Sequence, residues 1–287
     1  MSLPDTEVLD FKTPMENHKT LFIWNILPNR SEEAVYDLVF KAFSALGLLY
    51  LVRVFRNAAG CQPGFYAVVK FYSGSDATRA RDATHGRCLF QEVPLKVRIC
   101  TKQHRGPSFQ GQKLTLNSSK CQEVANYYLG FNGWSSHIIT LQNISDMEDF
   151  DDDAQQMTTA QTKCIKYLCV MEIQFTKHMM CCRGVGLSEE LVQDGTDPLN
   201  YVLKVGRAQK SATQKAMSDA FKKILLVVLG NGKVFVQRSS ELEELDSIIE
   251  EELHTQLQVN SVSLSQSECE NLSDFSFDTG TMEGIEK

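Results

Sequence analysis

Apolar positions recur along this chain with two periods, and the change from one to the other marks its elements. TLFIWNIL, from Thr20, sets Phe22 and Trp24 on one side and Leu21 and Ile23 on the other, the period of a strand. Ser31 then stands where a helix N-cap is needed, and Glu32 and Glu33 suit its first turn. Val35, Leu38, Val39, Ala42, Phe43 and Leu46 make one apolar stripe that Gly47 stops. LLYLVRVF reads as a strand, NAAGCQPG as turns, FYAVVKF as a strand, SDATRARDATHG as a helix and LKVRI as a last strand. The predicted order is βαββαβ.

A polar linker, TKQHRGPSFQGQK from Thr101, carries Lys102, His104, Arg105 and Lys113 and separates this block from a second one. Asn117 or Ser118 caps a helix with Cys121, Val124, Ala125 and Tyr128 on one side, and Gly130 closes it. GFNGW turns the chain into HIITLQNI, where Ile138, Thr140 and Gln142 alternate with Ile139, Leu141 and Asn143. After the acidic run DMEDFDDD, IKYLCVMEIQF and YVLKV read as strands, and a basic helix starts at Arg207 and runs to Leu226. Its Ala208, Ala212, Ala216 and Ala220 form a small-residue seam beside Met217, Phe221, Ile224 and Leu225, while Lys210, Lys215, Lys222 and Lys223 take the polar side. Gly230, Asn231 and Gly232 close that helix before KVFVQ. The expected class is α+β: a lead over 1–18, a first domain over 19–100, a linker over 101–112, a second domain over 113–238 and an acidic, largely disordered tail over 239–287. The second domain is expected to pack a small antiparallel sheet on the long basic helix.

With 43% hydrophobic residues in 287, both blocks can bury a core. Nothing approaches the run of roughly 18 apolar residues that a membrane span needs, and the N-terminus lacks a basic start and an apolar signal core, so an intracellular chain without membrane contact is expected. The nine cysteines include no CxxC pair, which points to reduced thiols rather than zinc. The net charge of −7 is uneven: residues 239–287 hold 13 acidic residues and one lysine, a net of −12, which leaves +5 on residues 1–238. A basic body with an acidic tail suits a nucleic-acid partner. Catalytic patterns are missing from the sequence: the six histidines form no metal pair at helical spacing, GNGK is a turn, and Asp151, Asp152 and Asp153 read as a solvated loop rather than a Mg²⁺ site. No enzymatic activity, metal or cofactor is expected.

The order βαββαβ, with LFIWNI on its first strand and GFYAVVKF on its third, resembles the RNA-recognition motif over Lys19 to Cys100. That resemblance implies a sheet face on which bases stack, with Phe22 and Tyr66 at stacking positions and Trp24 beside them. Val68 stands at a further position that is usually aromatic. By strand alternation Arg53, Lys70, Lys96 and Arg98 share that face and are placed to hold phosphates.

FNGW, GVGLSE at Gly184 to Glu189 and AQKSATQKAMSDAFKKILL, in that order, resemble the DNA-binding core of the Rad-fifty-two family of single-strand-annealing proteins. The resemblance implies a groove gripping single-stranded DNA, with Arg207, Lys215, Lys222 and Lys223 on the basic helix and DAFKK on the family's basic-pair motif. Lys rather than Arg at its second basic site, and Ala220 rather than Gly, depart from the pattern and weaken a bidentate phosphate clamp. DNA repair and recombination, the DNA-damage response, strand annealing, single-stranded DNA, RNA and double-stranded DNA as ligands, a homo-oligomer, and a place in nucleus, nucleolus and cytoplasm are what the two resemblances imply together. The acidic tail, with LEELDSIIEEELHTQLQV as one short helix, is a candidate for docking a protein partner or competing for the groove. A ribonucleoprotein factor and a peptide-binding adaptor are the alternative readings of the same pattern.

Overall fold

Ser31 Oγ accepts from the Ala34 amide at 3.2 Å and so starts the first helix where the capping pattern puts it. The computed structural model describes residues 6–101, 114–145, 162–193 and 197–239. The linker lysines and His104, the acidic run 146–153 and the tail beyond Ser239 lie outside the described residues. The strands are β1 (Thr6–Asp10), β2 (Thr20–Ile26), β3 (Leu49–Arg56), β4 (Phe65–Phe71), β5 (Lys96–Ile99), β6 (Ser135–Asn143), β7 (Thr162–Phe175), β8 (Met180–Gln193), β9 (Ile224–Leu229) and β10 (Val234–Arg238). The helices are α1 (Glu32–Ser44), α2 (Gly74–Thr84), α3 (Ser118–Leu129) and α4 (Pro198–Lys222). The described residues are thus mixed α+β, with antiparallel sheets.

The first module runs β2-α1-β3-β4-α2-β5, and its sheet has the order β3-β4-β2-β5. Leu21 and Ile23 of β2, Ala67, Val69 and Phe71 of β4 and Val97 of β5 are buried beneath Val35, Val39 and Phe43 of α1 and Ala77 and Ala80 of α2. One sheet face is therefore covered by helices, and the other carries the alternate residues. In the second module β6-β7-β8 packs on α4. The alanine seam is buried along its whole length, and the structure supplies its partner: a Cβ on Gly184 would land on the Ala216 carbonyl, and one on Gly186 on the Ala212 carbonyl. The two glycines of GVGLSE let the helix lie against β8 more closely than side chains allow.

Four sequence expectations are corrected. YVLKV is not a strand: Tyr201 N donates to the Asp197 carbonyl at 3.0 Å and Pro198 sits at the first helical position, so α4 begins before the β-prone residues and carries them as helix. The same helix ends at Lys222, not Leu226, and ILLVVL is β9; a wholly apolar run has no period that separates helix from strand. Gly230 to Gly232 then turn a hairpin, β9 to β10, instead of closing the helix, and Gly232 takes φ +81°. Within the expected lead, Thr6–Asp10 form a strand. β1 pairs antiparallel with β9, from Thr6↔Leu229 to Asp10↔Leu225, in a sheet of order β1-β9-β10.

β1 also reaches the first module. Glu7 accepts from Ser73 Oγ (2.5 Å), Gly74 N (2.6 Å) and Ser75 N (3.2 Å) at the head of α2. Burial alone would push this carboxyl up, but the donors from Ser73, Gly74 and Ser75 outweigh it and hold it below the usual range. Beyond β1, Phe11 stacks on Phe221 with ring centroids 4.8 Å apart, inside a core that also contains Tyr72 from the first module. Replacing Glu7 with Ala is expected to cost about 1 to 2 kcal/mol at neutral pH, as for a lost helix cap. Because the folded pKa is the lower one, that contribution is present above the unfolded value of about 4.3 and disappears as pH falls through the folded value. Thermal melts of both proteins from pH 7 downward should show the gap closing in acid; a gap that does not change with pH contradicts the assignment.

Candidate nucleic-acid interface

Strand alternation builds one exposed surface and helical spacing a second. On the uncovered face of β3-β4-β2-β5, Phe22 lies 5.7 Å from Trp24 and 5.4 Å from Tyr66, and Tyr66 lies 5.1 Å from Phe55, all between ring centroids. Arg98 places its guanidinium 5.3 Å from the Phe22 ring and 5.4 Å from Trp24, a cation–π arrangement across β2 and β5. Pairing register fixes these neighbours: Phe22 is opposite Val68 and Arg98, Trp24 opposite Lys96, Arg53 opposite Val68, and Phe55 opposite Tyr66. Arg53, Lys96 and Arg98 are exposed at the margins.

Six of the seven residues expected on this face therefore meet there. The seventh, Lys70, is engaged by the chain itself. Its Nζ donates to the Pro14 carbonyl at 2.9 Å, and burial pulls its pKa down, so the segment after β1 has taken up this ammonium. Phe55 was missed, although it sits two residues after Arg53 on the same strand and alternation alone would have placed it.

The second surface is a groove of about 470 Å³ between the head of α3 and α4, with Asn117 and Ser118 on one side and Ser211, Lys215, Ser218 and Lys222 on the other. Helical spacing aligns those α4 residues, and exposed Arg207 extends the same line toward the N-terminus of the helix. Lys215 Nζ donates to the Leu187 carbonyl at 2.8 Å, which anchors it over β8, and Lys222 is exposed.

Lys223 is not in the groove. It is 5% exposed, its Nζ donates to the Arg183 carbonyl at 2.7 Å, and it lies 3.4 Å from Asp219 Oδ2. Asp219 in turn accepts from the Val185 amide at 3.1 Å. Arg183 pairs with buried Glu172 at 2.9 Å, and although burial raises that carboxyl, donors on Gln174 and Arg183 bring it below its ordinary value. Within DAFKK Lys222 is exposed and half-buried Asp219 lines the groove beside it, while the last turn of α4 rolls Lys223 under toward β8. Phe221 is the ring against which Phe11, Trp134 and Phe175 pack. Gly133 and Trp134 of FNGW are structural too: Trp134 Nε1 donates to Asn126 Oδ1 at 2.9 Å, and Gly133 has no room for a Cβ beside the Leu129 carbonyl. Among the described residues no cluster of three His, Cys, Asp or Glu side chains could hold a metal. Burial pushes the Cys121 thiol up to about 12, which keeps it protonated and inert.

Fold and surfaces define a two-module α+β protein that presents an aromatic, arginine-flanked sheet face and a lysine-lined helix groove. Comparison with known proteins narrows the class. The family model described as the RDM1 DSRM domain matches residues 116–225. RAD52 motif-containing protein 1 of Gallus gallus is 48% identical over 275 residues, 95% of each chain; that of Danio rerio is 43% identical over 90% of each, and that of Homo sapiens 45% over 88% of each. The chain belongs to the RAD52 motif-containing protein 1 family. A solved structure titled Structure of Mip6 RRM3 Domain is 21% identical, with 30% of this chain and 98% of that chain covered and a TM-score of 0.25.

The buried network separates the two lysines experimentally. Lys223→Ala removes a buried donor from the Arg183 carbonyl and from half-buried Asp219 and should lower stability by about 2 kcal/mol. Lys222→Ala should stay within about 0.5 kcal/mol of wild type. Urea unfolding monitored by circular dichroism distinguishes them, and equal effects from the two substitutions contradict the placement.

Proposed function

We propose that this chain is a non-enzymatic binder of single-stranded nucleic acid, DNA and RNA, acting in DNA repair and recombination. The observation that carries the reading is the run of rings Trp24, Phe22 and Tyr66 on an uncovered sheet face, with Arg53, Lys96 and Arg98 around it. Flat apolar rings accept the π-face of any unpaired base, and the surrounding cations neutralise the phosphates that follow. An RNA-recognition-motif role for the first module agrees with its strand order. The RAD52 motif in the relatives' name supports repair and annealing as the setting, with the nucleus as the main compartment and the cytoplasm as a second. The α3–α4 groove grips backbone through Lys215, Lys222 and Arg207, without reading sequence.

Fluorescence anisotropy with oligothymidine and oligouridine, at several salt concentrations, tests this. Phe22→Ala and Tyr66→Ala are each expected to cost roughly 1 to 3 kcal/mol of binding. Lys222→Ala is expected to lower the log-log salt slope by about 0.7 with every sequence tried. Unchanged affinity in the ring variants together with an unchanged slope overturns the reading.

A further inference from the structure

Val68 leaves a gap in the stacking surface: it lies between Phe22 and Arg53 in the register, where no ring stands. The neighbouring row has the ring that this one lacks. Phe55 on β3 faces Tyr66 on β4, its ring inclined 22° to the tyrosine at 5.1 Å, and it remains 38% exposed. Its neighbour Val54 is buried beneath the sheet, so the strand packs through Val54 and does not need the Phe55 ring for its core. The rings then form one unbroken ladder across three strands, Trp24 and Phe22 on β2, Tyr66 on β4 and Phe55 on β3, with successive centroids 5.7, 5.4 and 5.1 Å apart. Cations stand at both ends, Arg98 over Phe22 and Trp24, and Arg53 two residues from Phe55 on the same face.

We propose that Phe55 is a base-stacking residue, so that the stacking position lost at Val68 is moved one row along and the face holds three unpaired bases, on Phe22, Tyr66 and Phe55. The proposal rests on the single-strand reading of this sheet and adds to it the length and form of the ligand: at least three consecutive unpaired nucleotides laid across β2, β4 and β3. A base inside a duplex has both faces covered by its neighbours and cannot use such a ladder. The chemistry recognised is the base π-face, common to DNA and RNA, and backbone phosphates flank it at Arg98 and Arg53.

The test uses the full chain with single strands containing 5-iodouracil, one set DNA and one set RNA, irradiated and mapped by mass spectrometry. Anisotropy on Phe55→Ala and Phe55→Leu accompanies it. Crosslinks are expected on the peptides that contain Phe22, Tyr66 and Phe55 in at least one set. Both substitutions should weaken binding about five- to hundredfold. The leucine keeps the apolar bulk, so an unchanged melting temperature in that variant shows that the lost affinity reflects the ring. Crosslinks confined to Phe22 and Tyr66, or wild-type affinity in Phe55→Leu, overturn the role of Phe55 and leave the single-strand reading in place. Absence of crosslinks from β2 and β4 in both sets overturns that reading itself.

Discussion

The pairing of β1 with β9 is the constraint on which both halves of the described chain depend. It joins residues 6–10 to residues 225–229 and places Leu9 and Phe11 in the core around Phe221. The same strand sends Glu7 to the head of α2, where it satisfies amides that α2 would otherwise expose. Without β1, β9 would have an open edge, and the buried side of its sheet would lose two large apolar side chains. The first module meets the second through this strand and through Tyr72, which lies in the same core cluster. Cutting the chain at the linker therefore does not yield a second module with its native core.

The second organising contact is the glycine–alanine seam. Gly184 and Gly186 on β8 let α4 settle against the sheet at Ala212, Ala216 and Ala220, and that closeness decides where its polar residues go. Lys215 is anchored by a β8 carbonyl on the wall of the groove, Lys223 is buried against another, and Lys222 stands exposed on the same wall. The segments FNGW, GVGLSE and DAFKK thus divide between residues that set the packing, such as Gly184, Trp134, Phe221 and Lys223, and residues that present charge.

The first module was legible because each of its elements is buried on one side only, so alternation and the helical stripe carry the information directly. Arg53, Lys96 and Arg98 follow from that rule, Phe22 and Tyr66 from the motif resemblance that it supports, and Phe55 obeys the rule too. What escaped the sequence depended on partners far along the chain. A five-residue strand such as TEVLD has no signal of its own until β9 is beside it, and Lys70 looks free until Pro14 approaches. YVLKV has strand composition, but the Pro198 start and continuity with α4 outweighed it. The alanine seam could be read, whereas its glycine partners in GVGLSE stood only as part of a family resemblance, since glycine within a strand signals close approach only once the approaching element is known.

Hydrogen exchange on the full chain and on a version lacking residues 1–13 tests the central dependence most directly. If β1 holds the two halves together, its removal should collapse the protection of the β9 amides from Leu225 to Leu229 and raise exchange at the head of α2, at Gly74 and Ser75. Protection of β9 and α2 that survives the deletion unchanged would contradict the account.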